Sequence, residues 1–160
     1  MRRTLPLWLV LAAACAEPQP RVATEEDIER LEPAVRAGDR AAIRALFDCD
    51  ANGAATTEYK CAVLGTAIRV APRVFLEELV RNAQRRDWPV EKDGCLDCLL
   101  GHCPELVDDF PAQEAETRLR AAALASVDGE ELRVARDACL RVLAAQIELV
   151  SGASASSAPR

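Results

Sequence analysis

Apolar residues recur in this chain at intervals of three and four positions. Ile28, Leu31 and Val35 follow this spacing near the start. It returns towards the C-terminal end in Leu132, Ala135, Cys139, Val142 and Leu143. Such spacing places apolar side chains on one face of an α-helix. Aromatic residues make up only 4% of the chain, so few segments have the composition of a β-strand. We therefore predict an all-α fold, a small irregular array of about five to seven helices.

Helix boundaries are predicted from residues that cap helices or interrupt them. Thr24 precedes three acidic residues and fits the N-cap of a first helix, which Pro33 is expected to kink or restart. Asp39 follows Gly38 and fits the N-cap of a second helix. Residues 90–110 hold glycines, a proline and three cysteines, so we expect only short helical turns there. The later start signals are Thr57, Pro72, Pro111 and the capping-box sequence Asp128-Gly-Glu-Glu131.

Composition divides the chain into four segments. Residues 1–14 have the build of a secretory signal, and residues 15–23 form a polar, proline-containing tether. Residues 24–150 form the helical domain, and the Ser/Ala-rich residues 151–160 are expected to be a disordered tail. The net charge of −6 repels a phosphate backbone, and no run of basic residues offsets it. Nucleic acid is therefore not expected as a partner.

The first fifteen residues indicate export. Arg2 and Arg3 precede a short apolar stretch that ends at Leu11, and three alanines then lead to Cys15. The sequence Leu11-Ala-Ala-Ala-Cys15 resembles the bacterial lipobox, although the usual leucine stands one position early. The resemblance implies that Cys15 is acylated and holds the mature protein on a membrane. Ala16 after the cysteine implies the outer membrane of a Gram-negative cell. The alternative is an ordinary signal peptide that leaves Cys15 in a spacer.

Six further cysteines form an even set in a chain expected to enter an oxidising compartment. Three disulfide bonds are the simplest interpretation. Proximity favours pairing Cys49 with Cys61, and one member of the later cluster would then pair with Cys139. One alternative is a thioredoxin-like redox motif at Cys95-Leu-Asp-Cys98, and another is a zinc site that adds His102 and Cys103. The cysteines concerned are Cys49, Cys61, Cys95, Cys98, Cys103 and Cys139.

One loop resembles a calcium-binding loop. Asp48-Cys-Asp-Ala-Asn-Gly53 is similar to the opening of an EF-hand or dockerin loop, where alternate oxygen ligands surround the ion and a glycine permits a sharp turn. The family's last ligand is a glutamate at position twelve, but Tyr59 stands there. The alternative is a solvated Asn-Gly turn. The ligands implied are Asp48, Asp50, Asn52, Ala54 through its carbonyl, Thr56 and Glu58.

No residue set predicts catalysis, because the chain has one histidine and one tyrosine and no nucleophile beside an evident base. Residues 34–46 resemble the helix-turn-helix of an ankyrin or HEAT-type repeat, without the ankyrin Thr-Pro-Leu-His signature or a continuing period. The leading hypothesis is a non-enzymatic, membrane-anchored envelope module that binds a protein or cell-wall partner and needs no cofactor. The alternatives are a calcium-binding module and a thiol-disulfide oxidoreductase at Cys95 and Cys98.

Overall fold

The protein is all-α apart from one very small sheet. The computed structural model describes residues 22–90, 94–101 and 109–156, and these ranges contain seven α-helices. None of these helices combines enough length with enough apolar character to cross a bilayer. The helices are α1 (Glu25–Arg36), α2 (Arg40–Asp48), α3 (Ala54–Val70), α4 (Pro72–Arg85), α5 (Gly94–Gly101), α6 (Phe110–Ala125) and α7 (Arg133–Ser156).

Short polar side chains and prolines begin several helices, as predicted. Thr24 and Asp27 form a reciprocal capping box at α1, in which each side-chain oxygen accepts from the other residue's backbone N–H at 3.2 Å. The Asp39 carboxylate accepts from Ala42 N at 2.8 Å and caps α2. Pro72 occupies the first turn of α4, where its missing N–H costs no hydrogen bond.

Other boundaries differ from the sequence prediction. α3 begins at Ala54 rather than after Thr57, because Gly53 takes a φ of 97° that turns the chain into the helix. Thr57 Oγ1 instead donates to Gly53 O at 2.8 Å. Pro33 lies inside α1 without ending it, only one turn before the helix stops at Arg36.

The last helix also differs at both ends. The predicted capping box at Asp128 does not form. A 3₁₀ turn, Glu130–Leu132, precedes α7 instead, and its N-cap residue is Gly129, to which no side chain supplies a capping hydrogen bond. At the other end α7 continues to Ser156, into the segment expected to be a disordered tail. The helix continues there although that extension holds three serines and a glycine beside its two alanines.

One hydrophobic core joins all seven helices. α3 is central and contacts α1, α2, α4, α5 and α6, whereas α7 packs mainly along α6. Phe75 on α4 is fully buried, and its ring centre lies 5.6 Å from that of Phe47 on α2. Gly65 on α3 leaves room for the guanidinium of Arg120 from α6, because a Cβ there would lie 2.9 Å from Arg120 Nη1. The other large side chains at the centre are Ile28, Ile43, Leu46, Leu64, Ile68, Leu76, Leu79, Leu96, Leu100, Leu124 and Leu143.

A two-stranded parallel sheet, not predicted from the sequence, joins the start of the domain to the turn between α2 and α3. β1 (Val22–Ala23) pairs with β2 (Asp50–Ala51), with Val22 opposite Asp50 and Ala23 opposite Ala51. Ala23 is buried in the core. The chain therefore enters the domain beside the turn that follows α2.

No disulfide bond links Cys49, Cys61 and Cys139, the cysteines whose side chains the structure describes. The predicted bridge between Cys49 and Cys61 is therefore not found. Cys95 and Cys98 lie within α5, where only the backbone is described, and Cys15, His102 and Cys103 lie outside the described residues. Pairs that involve these residues stay predictions.

Candidate functional site

The two aspartates of the predicted calcium loop lie against arginines of α4 and the residue after it. Asp48, the last residue of α2, has Oδ1 2.5 Å from Arg81 Nη2 and 3.3 Å from Arg85 Nη2. Asp50 Oδ1 lies 2.7 Å from Arg86 Nη2. Each carboxylate therefore already has a guanidinium partner, which a cation would have to displace.

The remaining predicted calcium ligands do not surround a common point. Asn52 is exposed in the turn, whereas Ala54, Thr56 and Glu58 belong to the first turns of α3. Ala54 and Glu58 lie on one face of the helix, whereas Thr56 lies on the opposite face, so the three cannot wrap around one ion. In the described ranges, no three His, Cys, Asp or Glu side chains are grouped so that they could hold a metal. The calcium interpretation stays a prediction that this geometry does not favour.

Glu78 is the centre of an ion-pair cluster that joins α2 to α4. Its side chain is only 1% exposed, yet it meets three guanidinium groups. Arg44 donates to both carboxylate oxygens at 2.8 and 2.9 Å, Arg81 Nε donates at 2.7 Å, and Arg40 Nη1 lies at 3.3 Å. The Arg44 hydrogen bonds, followed by those from Arg81, lower the pKa of Glu78 from 4.5 to about 2. The arginines here balance a buried charge and leave no reactive carboxylate.

A cavity of about 460 Å³ lies between the turn after α2 and helices α3, α4 and α5. We call it the Lys60 cavity. Its volume falls within the range of small-molecule pockets. Part of its wall is polar and is formed by Asp50, Thr57, Lys60, Asn82 and Arg86. The rest is mainly apolar and is formed by Phe47, Ala51, Cys61, Leu64, Leu79, Trp88 and Leu99.

Lys60 has an unusual environment in this cavity. Its ammonium group donates to the backbone oxygen of Cys49 at 2.5 Å, and no carboxylate of a described residue lies within the 4.0 Å salt-bridge distance. Burial, reinforced by the charge of Arg86, lowers the pKa of Lys60 below 10.5. Arg86 is itself paired with Asp50. The described wall of the cavity therefore keeps one positive charge without an ion-pair partner.

The rigid elements around the cavity hold its polar groups in place. Asn82 is 6% exposed, and its Nδ2 donates to Phe47 O at 2.9 Å, which fixes the end of α2 against α4. Asp50 and Ala51 belong to β2, so the pairing of β2 with β1 sets that edge of the cavity. Lys60 extends from α3, whose next residue, Cys61, is buried in the domain.

The described thiol on α7 is shielded from reaction. Cys139 is fully buried, and burial raises the pKa of its thiol to about 12. Because the thiolate is the nucleophile, Cys139 is not suited to thiol exchange near neutral pH. Cys95 and Cys98 occupy the second and fifth positions of α5, so the redox interpretation depends on these two residues alone.

Comparison of the chain with family models, with curated proteins and with solved structures gave no match. The site must therefore be interpreted from its own geometry.

Sequence reasoning missed the Lys60 cavity, although one signal was available. Lys60 directly precedes Cys61, the first residue of the apolar face of α3, and Arg85-Arg86 precedes Trp88. Cations adjoining apolar residues indicate an edge where polar and apolar walls meet.

Proposed function

We propose that this chain is an exported lipoprotein whose helical domain is a non-enzymatic binding module of the bacterial envelope, anchored through acylated Cys15 to the outer membrane of a Gram-negative cell. The observation that carries the binding role is the Lys60 cavity, which combines an apolar wall with an unbalanced positive charge. Pockets of this composition are the usual sites at which proteins hold small ligands. The protein or cell-wall partner expected from the sequence stays a prediction.

The position of the cavity supports a role close to the membrane. β1 begins at Val22, seven positions after Cys15, and β2 at the cavity edge is its hydrogen-bonded neighbour. A fully extended chain spans at most about 3.6 Å per residue, so Cys15 is within about 25 Å of Val22. An acyl anchor at Cys15 would therefore keep Val22, whose strand pairs with the cavity edge, within about that distance of the lipid surface.

The chemistry of the described side chains supports a binding role over catalysis. Glu78, Asp48 and Asp50 are held by arginines, and Cys139 is buried with a raised pKa. A catalytic acid or base needs a pKa near the working pH and access to substrate. Glu78 and Cys139 meet neither condition, because both are buried and their pKa values lie near 2 and 12.

The start of α5 favours a second candidate function. Cys95 lies at its second position and Cys98 one turn later, and the positive end of a helix dipole lowers the pKa of a nearby thiol. Thiol-disulfide exchange at this pair is the alternative. Alkylation of the native protein tests it, because a reactive Cys95 would be modified before unfolding whereas a structural cysteine would not.

The anchor is tested by expressing the full chain in a Gram-negative host with radiolabelled palmitate. We expect the wild-type chain to carry label and to sediment with membranes. Cys15→Ser should lose the label, whereas the matched control Cys49→Ser should keep it. An unlabelled wild-type chain, whether cytosolic or secreted into the periplasm, would contradict the proposal.

A further inference from the structure

The occupant of the Lys60 cavity can be deduced from three properties of its wall. The first is charge. Lys60 and Arg86 contribute two cations and Asp50 one carboxylate, so a bound group with a single negative charge would neutralise the described wall. A dianion would leave an excess charge, and an uncharged ligand would leave the Lys60 ammonium without a counter-ion.

The second property is the separation of polar and apolar walls. Lys60 and Arg86 share the wall with apolar side chains from four helices, α2, α3, α4 and α5. A small inorganic anion would contact the cations but would leave the apolar part of the cavity unfilled. A ligand that fills the cavity therefore needs an apolar body attached to its charged head.

The third property is location. β2 lies at the cavity edge and pairs with β1, through which the chain leads back to Cys15. On the proposed function, the cavity would lie near a lipid surface, where single-chain amphiphiles are present. The cavity of about 460 Å³ suits one acyl chain with a small head better than a two-chain phospholipid.

From these properties we propose that the Lys60 cavity binds a fatty acid, with the carboxylate held by the Lys60 ammonium and the acyl chain packed against Trp88 on the apolar part of the wall. This inference rests on the proposed binding role and names the ligand class of that same site. The Lys60 ammonium already donates one hydrogen bond to Cys49 O and has two donors left for a carboxylate. Asp50 remains paired with Arg86 and keeps that guanidinium in position.

The test titrates three probes into the full chain by calorimetry, below their micelle concentrations and at about pH 7. Sodium decanoate has a carboxylate on a ten-carbon chain. Decan-1-ol has the same chain with an uncharged hydroxyl group, and sodium acetate has the carboxylate without the long chain. We expect saturable binding of decanoate, about tenfold tighter than that of decanol, and none of acetate. Emission from Trp88 should change on decanoate binding, because its ring lines the cavity.

Variants separate the site from general charge effects. Lys60→Met keeps the length and apolar stem of the side chain but removes the charge, and should weaken decanoate binding about tenfold. Arg118→Met removes a charge from α6, where the side chain is 59% exposed, and should stay within about twofold of wild type. Circular dichroism checks that each variant folds. If Lys60→Met does not fold, the comparison of decanoate with decanol on the wild-type chain still tests the assignment.

Any of three results would overturn the fatty-acid assignment. One is equal affinity of the wild-type chain for decanoate and decanol, and another is unchanged decanoate binding by folded Lys60→Met. The third is the absence of any saturable heat. None of these results bears on acylation of Cys15 or on membrane sedimentation, so failure of the fatty-acid assignment is distinguishable from failure of the anchored-lipoprotein proposal.

Discussion

Replacing the buried Glu78 with glutamine should destabilise the domain. The pKa of Glu78 falls from 4.5 to about 2 on folding, chiefly through its hydrogen bonds with Arg44. One pKa unit corresponds to about 1.4 kcal/mol, so the shift corresponds to about 3 kcal/mol. The arginine partners are 32–48% exposed, and solvent screening reduces this value. We expect Glu78→Gln to lower the free energy of unfolding by about 2 kcal/mol near pH 7.

Urea unfolding followed by circular dichroism measures this change. The matched control is Glu77→Gln, since Glu77 is the preceding residue and also pairs with Arg40 but is 30% exposed. Its effect should stay below about 0.5 kcal/mol. Equal effects of the two substitutions would refute the view that the buried carboxylate joins α2 to α4.

The pKa shift of Glu78 also predicts that the stability difference between wild type and Glu78→Gln depends on pH. Because the pKa of Glu78 is lower in the folded state, its contribution is complete above pH 4.5 and is lost as the pH falls towards about 2. The stability difference between wild type and Glu78→Gln should therefore shrink through that window. A difference that stays constant down to about pH 2 would mean that the carboxylate charge is not responsible.

Three further predictions follow from burial and pairing. Cys139 should resist alkylation in the native protein and react once urea unfolds it, and equal labelling in both states would contradict its burial. Leu143→Ala should cost about 2–5 kcal/mol of unfolding free energy, whereas Leu149→Ala, at a side chain 70% exposed, should cost less than about 0.5 kcal/mol in the same urea assay. Calcium should not raise the melting temperature, because Asp48 and Asp50 are already paired with arginines, and a clear rise would restore the calcium interpretation.

Local signals in the sequence predicted much of the helical architecture. Thr24, Asp39 and Pro72 each act within one turn of their own position, so their effect does not depend on distant packing. The spacing of apolar residues likewise predicted the all-α class. The start of α3 was missed because Gly53 turns the chain through an unusual φ angle, which sequence pattern does not reveal.

The candidate site could not be predicted from local pattern. Glu78 occupies a buried position on α4 only because Arg40 and Arg44, more than thirty positions earlier, reach it from α2. The Lys60 cavity depends in the same way on α3, α4, α5 and β2 meeting at one place. Interactions between residues so far apart in sequence arise from tertiary packing, which the spacing of apolar residues does not specify.

The most direct test of the account is mass spectrometry of the N-terminal peptide from chain purified out of a Gram-negative host's membranes. We predict that the peptide begins at Cys15 and carries the added mass of acyl chains. A peptide that begins at Met1, or at a residue after Cys15 without acyl mass, would contradict the proposed anchored lipoprotein.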